Sequence, residues 1–450
     1  KNTEDKDIFV NYGGGNTQHT QSHSEVVIGT QLNSSGVLRL SSAGDINSRG
    51  SVLTGTQGID LSAAGNILLA TEEAFNSQAI TTTSKRSGLA GSSRKATTST
   101  SESLTHTGTS LTSDGNIVMS SGNDISIIGS DVNAGQHIGI DAAGDLLVAA
   151  AVNQSFDQYT KTKKGSLTVS SKNIGSKTQE AVASNLNAGG SMSINSGGNV
   201  SVVGSNLAAT DTLTIGNQII AKNEDGQTLK NEQGQYVNEQ GEQVGNVTVT
   251  TQELTNESWS ESSSGLRGPA KDLVKGISVL TGTMTSTMGL DMEIEVGRST
   301  TDRSTQTTQQ TSTVSANNLG IDVKGDVAII GSDVNVGNIA SINANSLTLD
   351  AAKETTTTHH SETVETISNS GPSLGENEIT VGSIASTKTT DSTTTTETTW
   401  SGSTLNAGTL SVNTQENVNL ISSDINVAGD TSIKAKDILI GGRQDTTETL

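Results

Sequence analysis

The stretch THTGTSLTSDGNIVMSSGNDISIIGSDVNAGQHIGIDAAGDLLVAAA (105–151) decides how this chain folds. Its apolar residues come back at a constant interval of 21. Ile117 is answered by Ile138, Met119 by Ile140, Ile125 by Leu146 and Ile127 by Val148. Within each short group apolar and polar residues alternate, which is the pattern of a strand with one buried face. The groups are separated by DG, GN, AG and GD, which are turn signals. A period of about 21 residues with strand–turn–strand content fits one coil of a parallel β-solenoid. The expected fold is therefore all-β: a parallel, right-handed β-helix in which Ile and Val of one coil stack on Ile and Val of the next.

The same phrase recurs along the chain as GTQLNSSG (29–36), GSDVNAG (129–135), SNLNAG (184–189), GSDVNVG (331–337), STLNAG (403–408) and SDINVAG (423–429). The 21-residue echo follows it: Leu40 to Leu61, Ile46 to Ile67, Met192 to Leu213, Ile321 to Ile342 and Val412 to Ile433. This places solenoid blocks of about two coils at 26–70, 104–150, 184–220, 314–350 and 403–441. The phrase carries an Asn at one position: Asn33, Asn133, Asn187, Asn335, Asn406 and Asn426. Asn tolerates left-handed backbone and makes Asx turns, so a turn role is preferred. A stacked amide ladder is the alternative.

Between the blocks lie polar segments at 71–103, 151–183, 221–313 and 351–402. Runs this long leave the solenoid either as arms or as flexible loops. In the first, ITTTSKR (80–86) faces RKATTSTSES (94–103) across SGLAGSS (87–93), which predicts a Thr-rich hairpin. SGLRG (264–268) repeats the SGLAG pattern and marks a second tip. Leu89, Arg94, Lys95, Lys163, Lys164, Leu266 and Arg267 are thus the candidate contact residues, exposed Leu beside basic charge. A soluble turn flanked by solvating charge is the competing reading. NEDGQTL, NEQGQYV and NEQGEQV (223–244) read as a small meander, and the Met-rich 272–296 as a further hairpin strand.

Composition narrows the function. The chain of 450 residues has no Cys and only 2% aromatics, with 31% hydrophobic residues, too few for several thick cores. Its net charge of −21 argues against a nucleic-acid partner. Without Cys there is neither a thiol nucleophile nor a Cys–zinc site. The six His include HTQSH (19–23) and the pair His359–His360, neither with the spacing of a helical zinc motif. GD and GN pairs such as Gly44-Asp45 lack the full calcium-repeat pattern. No enzyme activity, catalytic residue, cofactor or metal is expected. The absence of a signal peptide and of a starting Met leads us to expect an internal fragment.

The residues 105–151 resemble the haemagglutinin repeat of large bacterial two-partner secreted exoproteins. The order of blocks and insertions resembles the second filamentous-haemagglutinin repeat region of contact-dependent growth inhibition proteins, over nearly all of the chain. The resemblance implies a secreted, cell-surface fibre of a Gram-negative bacterium, exported through an outer-membrane partner transporter. In growth-inhibition proteins this region is implicated in carrying a C-terminal toxin across the target cell's outer membrane. In haemagglutinin relatives it serves adhesion to host cells. The implied partners are the transporter, the target outer membrane or a host surface, and adjoining repeats of the same chain.

Overall fold

A computed structural model describes residues 1–88, 91–217, 229, 245–267, 270–271, 292–370, 373–374, 379–380 and 383–450. The chain winds as a parallel β-solenoid. Each coil has three short walls. Two belong to an 18-stranded sheet and the third to a 10-stranded sheet. Coil stacks on coil at the predicted interval: Ser110 pairs with Asp131, Ile117 with Ile138 and Ile125 with Leu146. Where an insertion intervenes the interval lengthens, as between Asp131 and Asn185.

The alternating pattern is what buries the core. Val132 stacks between Leu111 and Leu186, and Ile138 between Ile117 and Met192. Ile117, Met119, Ile125, Ile127, Val132 and Leu186 are all fully buried. A buried aliphatic side chain contributes roughly 1.5–3 kcal/mol, so a thin core repeated in every coil can stabilise a chain poor in aromatics.

The corner between the third wall and the first wall of the next coil takes two forms, and they alternate. At Gly50, Gly129, Gly204 and Gly331 it is a tight turn with φ between +54° and +57°. Ser422 repeats the conformation at φ +46°. At the intervening coils the same corner is opened by a long hairpin. The first arm is Glu72–Gly88 with Gly91–Thr107, and the second is Ala151–Lys164 with Thr168–Val182. The third is Gln252–Leu266 with Met292–Gln310, and the fourth Ala352–Ser370 with Ser383–Ser401. A hairpin Asn2–Gly13 with Asn16–Val26 precedes the first coil.

These arms do not stand apart. They pair side by side, with Thr446–Thr449 at the far end, into one 11-stranded antiparallel sheet. The reason is dimensional. Two stacked coils rise about 9.6 Å at the usual strand spacing of about 4.8 Å, and a hairpin is two strands wide. An arm on every second coil therefore fills the sheet without a gap.

Three expectations change. The insertions are neither free arms nor loops where they are described; they are strands of a shared sheet. Val247–Thr250, inside the range 221–313 read as an insertion, is a wall strand pairing with Val200–Val203 and with Val327–Ile329. The recurring Asn residues are not turn residues. Asn133 and Asn187 sit within wall strands, and Ser422 is the only described non-glycine residue with positive φ. Five of the six form amide ladders instead: Asn187 Nδ2 donates to Asn133 Oδ1 at 2.8 Å, Asn406 to Asn335 at 2.7 Å and Asn426 to Asn406 at 3.0 Å, while Asn33 stacks on Thr54. Side chains on the outer face of stacked parallel strands lie one above another, which an amide can use as donor and acceptor at once. The meander at 223–244 lies outside the described residues apart from Leu229. The Met-rich segment lies outside them up to residue 291, and its continuation from Met292 is the return strand of the third arm.

Candidate interaction surface

Two further ladders hold the corners. A hydroxyl follows the wall-three corners and is buried at seven of them, Thr109, Ser130, Ser184, Ser205, Ser312, Ser332 and Ser403, while Ser51 and Ser423 towards the two ends are half-buried. The Ser130 amide donates to Ser184 Oγ, the Ser184 amide to Ser205 Oγ and the Ser205 amide to Ser312 Oγ, each at 3.1 Å. Ser184 Oγ donates in turn to the Ala149 carbonyl at 2.7 Å. At the corner between walls two and three, Asp45 Oδ1 accepts the Asn66 amide, Asp124 that of Asp145, and Asp145 that of Asn199. The GD and GN pairs thus cap the backbone of the coil above. Among the described residues no group of three His, Asp or Glu could hold a metal ion.

The arm sheet is the surface left over once these ladders are accounted for. It is rich in Ser and Thr. Hydroxyls pair across its strands, as Thr81 with Thr98, Ser171 with Ser263 and Thr363 with Thr390. Buried residues cluster at the base of the arms, including Ala74, Ala151, Leu254 and Ala352. The seam between the second and third arms carries a network: Gln158 Nε2 donates to Asn173 Oδ1 at 3.0 Å, and Asn173 Nδ2 to Glu261 Oε2 at 3.1 Å. Arg303 donates to Glu261 at 2.6 Å. The Arg303 hydrogen bond, then that of Asn173, holds the Glu261 carboxyl below its usual range. Phe156 stacks against Trp259 with ring centroids 5.8 Å apart on the same seam.

The His groupings fall on this sheet as well. His19 pairs with Asp7, and His23 Nδ1 lies 2.7 Å from Asp5 Oδ1. Hydrogen bonding to Asp5 pushes the His23 imidazole above its ordinary value. His360 Nδ1 is 2.6 Å from Asp302 Oδ1, while His359 meets Thr394 Oγ1 at 2.9 Å. His359 and His360 are neighbours in a strand, so they point to opposite faces and share no ligand.

A groove of about 850 Å³ crosses the strands of the sheet. Directly paired residues share a face and successive ones alternate. Its walls are two rows on one face: Tyr159, Ile174, Ser260, Asp302 and His360 on one side, and Asp157, Ser176, Ser258, Ser304 and Thr358 on the other. The row between them forms the floor.

The candidate tip residues sit at the distal end of the same sheet. Arg94 pairs with Lys164, and Lys95 with Lys163. Lys85, which faces Arg94, extends the row. Leu266 pairs with Thr168, and Arg267 is fastened to the turn of the second arm, its amide to the Leu167 carbonyl at 2.8 Å and Nη1 to the Gly165 carbonyl at 2.9 Å. Leu89 lies outside the described residues. Leu167, at 55% exposed, is the described apolar residue at this end that sequence reading missed. The lateral pairing of the arms was missed too, because Ser and Thr strands carry no marker of which partner they take.

Coils with a serine ladder, alternate corners opened into arms and a shared arm sheet define a repeat protein of the parallel β-solenoid class. The chain belongs to the haemagglutinin repeat family: the family model described as Hemagglutinin repeat matches residues 10–97, 89–178, 166–332 and 292–449. Membership implies a secreted cell-surface protein. Neither the curated proteins nor the solved structures contain a match to this chain.

Proposed function

We propose that this chain is a non-enzymatic stalk segment of a secreted adhesin, in which the solenoid sets the reach and the arm sheet makes the contact with another cell. The observation that supports it is the sheet itself: eleven strands knit across the alternate corners and rich in hydroxyls. Surfaces held by a rigid scaffold but not needed for its core are where binding residues concentrate. The fold offers a clean test. Alternate corners are already closed by Gly-Ser, as at Gly129-Ser130, so the second arm can be replaced by that turn. The full chain should bind cells saturably, and the shortened one should keep its β-solenoid circular dichroism and lose binding. Equal binding by both would remove the arm sheet from the reading.

A second reading is supported by the basic distal end of the first two arms. In a growth-inhibition effector, exported through a two-partner transporter, the same sheet would engage the target cell's outer membrane during delivery of a C-terminal toxin. In that case removal of the arm blocks toxin entry while leaving cell attachment intact.

A further inference from the structure

The distal stretches 81–88, 91–98 and 160–173 hold eight Lys and Arg and no Asp or Glu, in a chain whose net charge is −21. Elsewhere several cations on or beside the sheet meet carboxylates: Lys271 pairs with Glu365 at 2.5 Å, Arg298 with Glu362 at 3.0 Å and Arg303 with Glu261 at 2.6 Å. Among the described residues no carboxylate pairs with any of the eight distal cations. They are also set against each other. Lys161 lies directly opposite Lys172, and Arg94 between Lys85 and Lys164. Like charges in direct cross-strand pairs destabilise a sheet. An anion bound between them would reverse that cost.

The groove supplies the other half of a site. Tyr159 and Ile174 form its distal wall, and they too are direct partners. Lys161 and Lys172 are two residues further along the same strands, hence on the same face. Going from groove to tip, the face therefore presents Ser and Thr hydroxyls, then an aromatic ring with an aliphatic neighbour, then a pair of unneutralised ammonium groups. Hydroxyls and an exposed ring suit a sugar. The ammonium pair suits a phosphate, sulfate or carboxylate. Asp157 lies in the proximal wall, and Asp302 in the distal wall two strands beyond Ile174, so both can accept sugar hydroxyls while the acidic group of a ligand is directed to the lysine pair.

We propose that the groove bordered by Tyr159, Ile174, Lys161 and Lys172 is a binding site for an acidic oligosaccharide, with its sugar rings on Tyr159 and its anionic group between the two lysines. This rests on the reading of the arm sheet as the contact surface.

The test is titration of the full chain with four probes: phosphorylated core oligosaccharide of bacterial lipopolysaccharide, the same material dephosphorylated, a sulfated glycosaminoglycan and neutral dextran. Binding of an acidic probe should be saturable, weaken with salt and fall by roughly tenfold or more in Lys161→Glu, about the loss of one charge-assisted contact. That substitution places Glu opposite Lys172, an attractive pair, so it should not unfold the arm. Tyr159→Ala should weaken binding as well. Preference for the bacterial or the sulfated probe identifies the source. Equal binding of dextran, no binding of either acidic probe, or full affinity in Lys161→Glu overturns the proposal. If cells are bound while no acidic probe is, only this inference fails; if cells are not bound either, the adhesion reading fails with it.

Discussion

Gly175 lies beneath the indole of Trp259, its direct cross-strand partner, and a Cβ placed on Gly175 would come within 2.2 Å of Trp259 Cζ2. This contact closes the seam between the second and third arms. Gly175→Val should force the indole off and loosen the seam, at a cost of about 1–3 kcal/mol as for other overpacked sites. Hydrogen exchange should quicken in 168–182 and 252–266 and stay unchanged in the walls. Unaltered exchange along the seam would show that the two arms are held together by their ladder alone.

The serine ladder carries buried backbone groups. Ser184 is fully buried; its hydroxyl accepts the Ser130 amide and donates to the Ala149 carbonyl. Ser184→Ala leaves the Ser130 amide without a partner, at about 1–3 kcal/mol, while the Ala149 carbonyl keeps the Gly129 amide. Thermal unfolding of this variant should begin earlier than that of Ser193→Ala, whose side chain is exposed. Identical melting of the two would mean that water replaces the hydroxyl.

Ile140 stacks between Met119 and Ile194 and is 1% exposed. Ile140→Asp buries a carboxylate with no partner and should open the neighbouring coils. Stability in a solenoid is close to a sum of nearest-neighbour terms, so the loss should be local. Limited proteolysis should cut near 117–146 first; a protease-resistant coil there would place Ile140 outside the core.

The N-terminal hairpin should respond to pH. The His23 imidazole is raised, chiefly by hydrogen bonding to Asp5. Its contribution is therefore fully present below the ordinary His value of about 6.5 and is lost as pH rises through the folded value. Asp7 is held low, chiefly by its hydrogen bond with His19, and Glu25 chiefly by the Phe75 amide. Their contributions are present above the ordinary carboxylate values and are lost as pH falls through the folded ones. Amide protection in Asn2–Gly13 should peak between about pH 4.5 and 6.5. A titration of His23 by NMR with a midpoint at or below its ordinary value would contradict the Asp5 contact.

Much of the solenoid was legible before any coordinates. The coil length, the inward Ile117, Ile138 and Ile140, and the hairpin at 80–103 follow from local spacing. The Asn ladder did not. Asn133 reads as a turn residue by its neighbours, and only stacking on Asn187 gives its amide a better partner. Val247–Thr250 was hidden because a single four-residue strand between polar segments has no echo at 21 residues. Of the candidate site, the basic residues were visible as a run, but nothing local says that Lys161 faces Lys172 or that Tyr159 faces Ile174.

The sequence alone determined the coil, because within a two-coil block most wall strands pair with a copy of themselves 20 or 21 residues away, and periodicity records that. It also determined where the chain leaves the coil, since apolar alternation stops there. Only the tertiary structure decided that the arms join. Their pairing spans separations as different as those of Lys177 with Glu257 and Arg94 with Lys164. It follows from the match between the rise of two coils and the width of one hairpin, a geometric relation that no residue in either arm encodes.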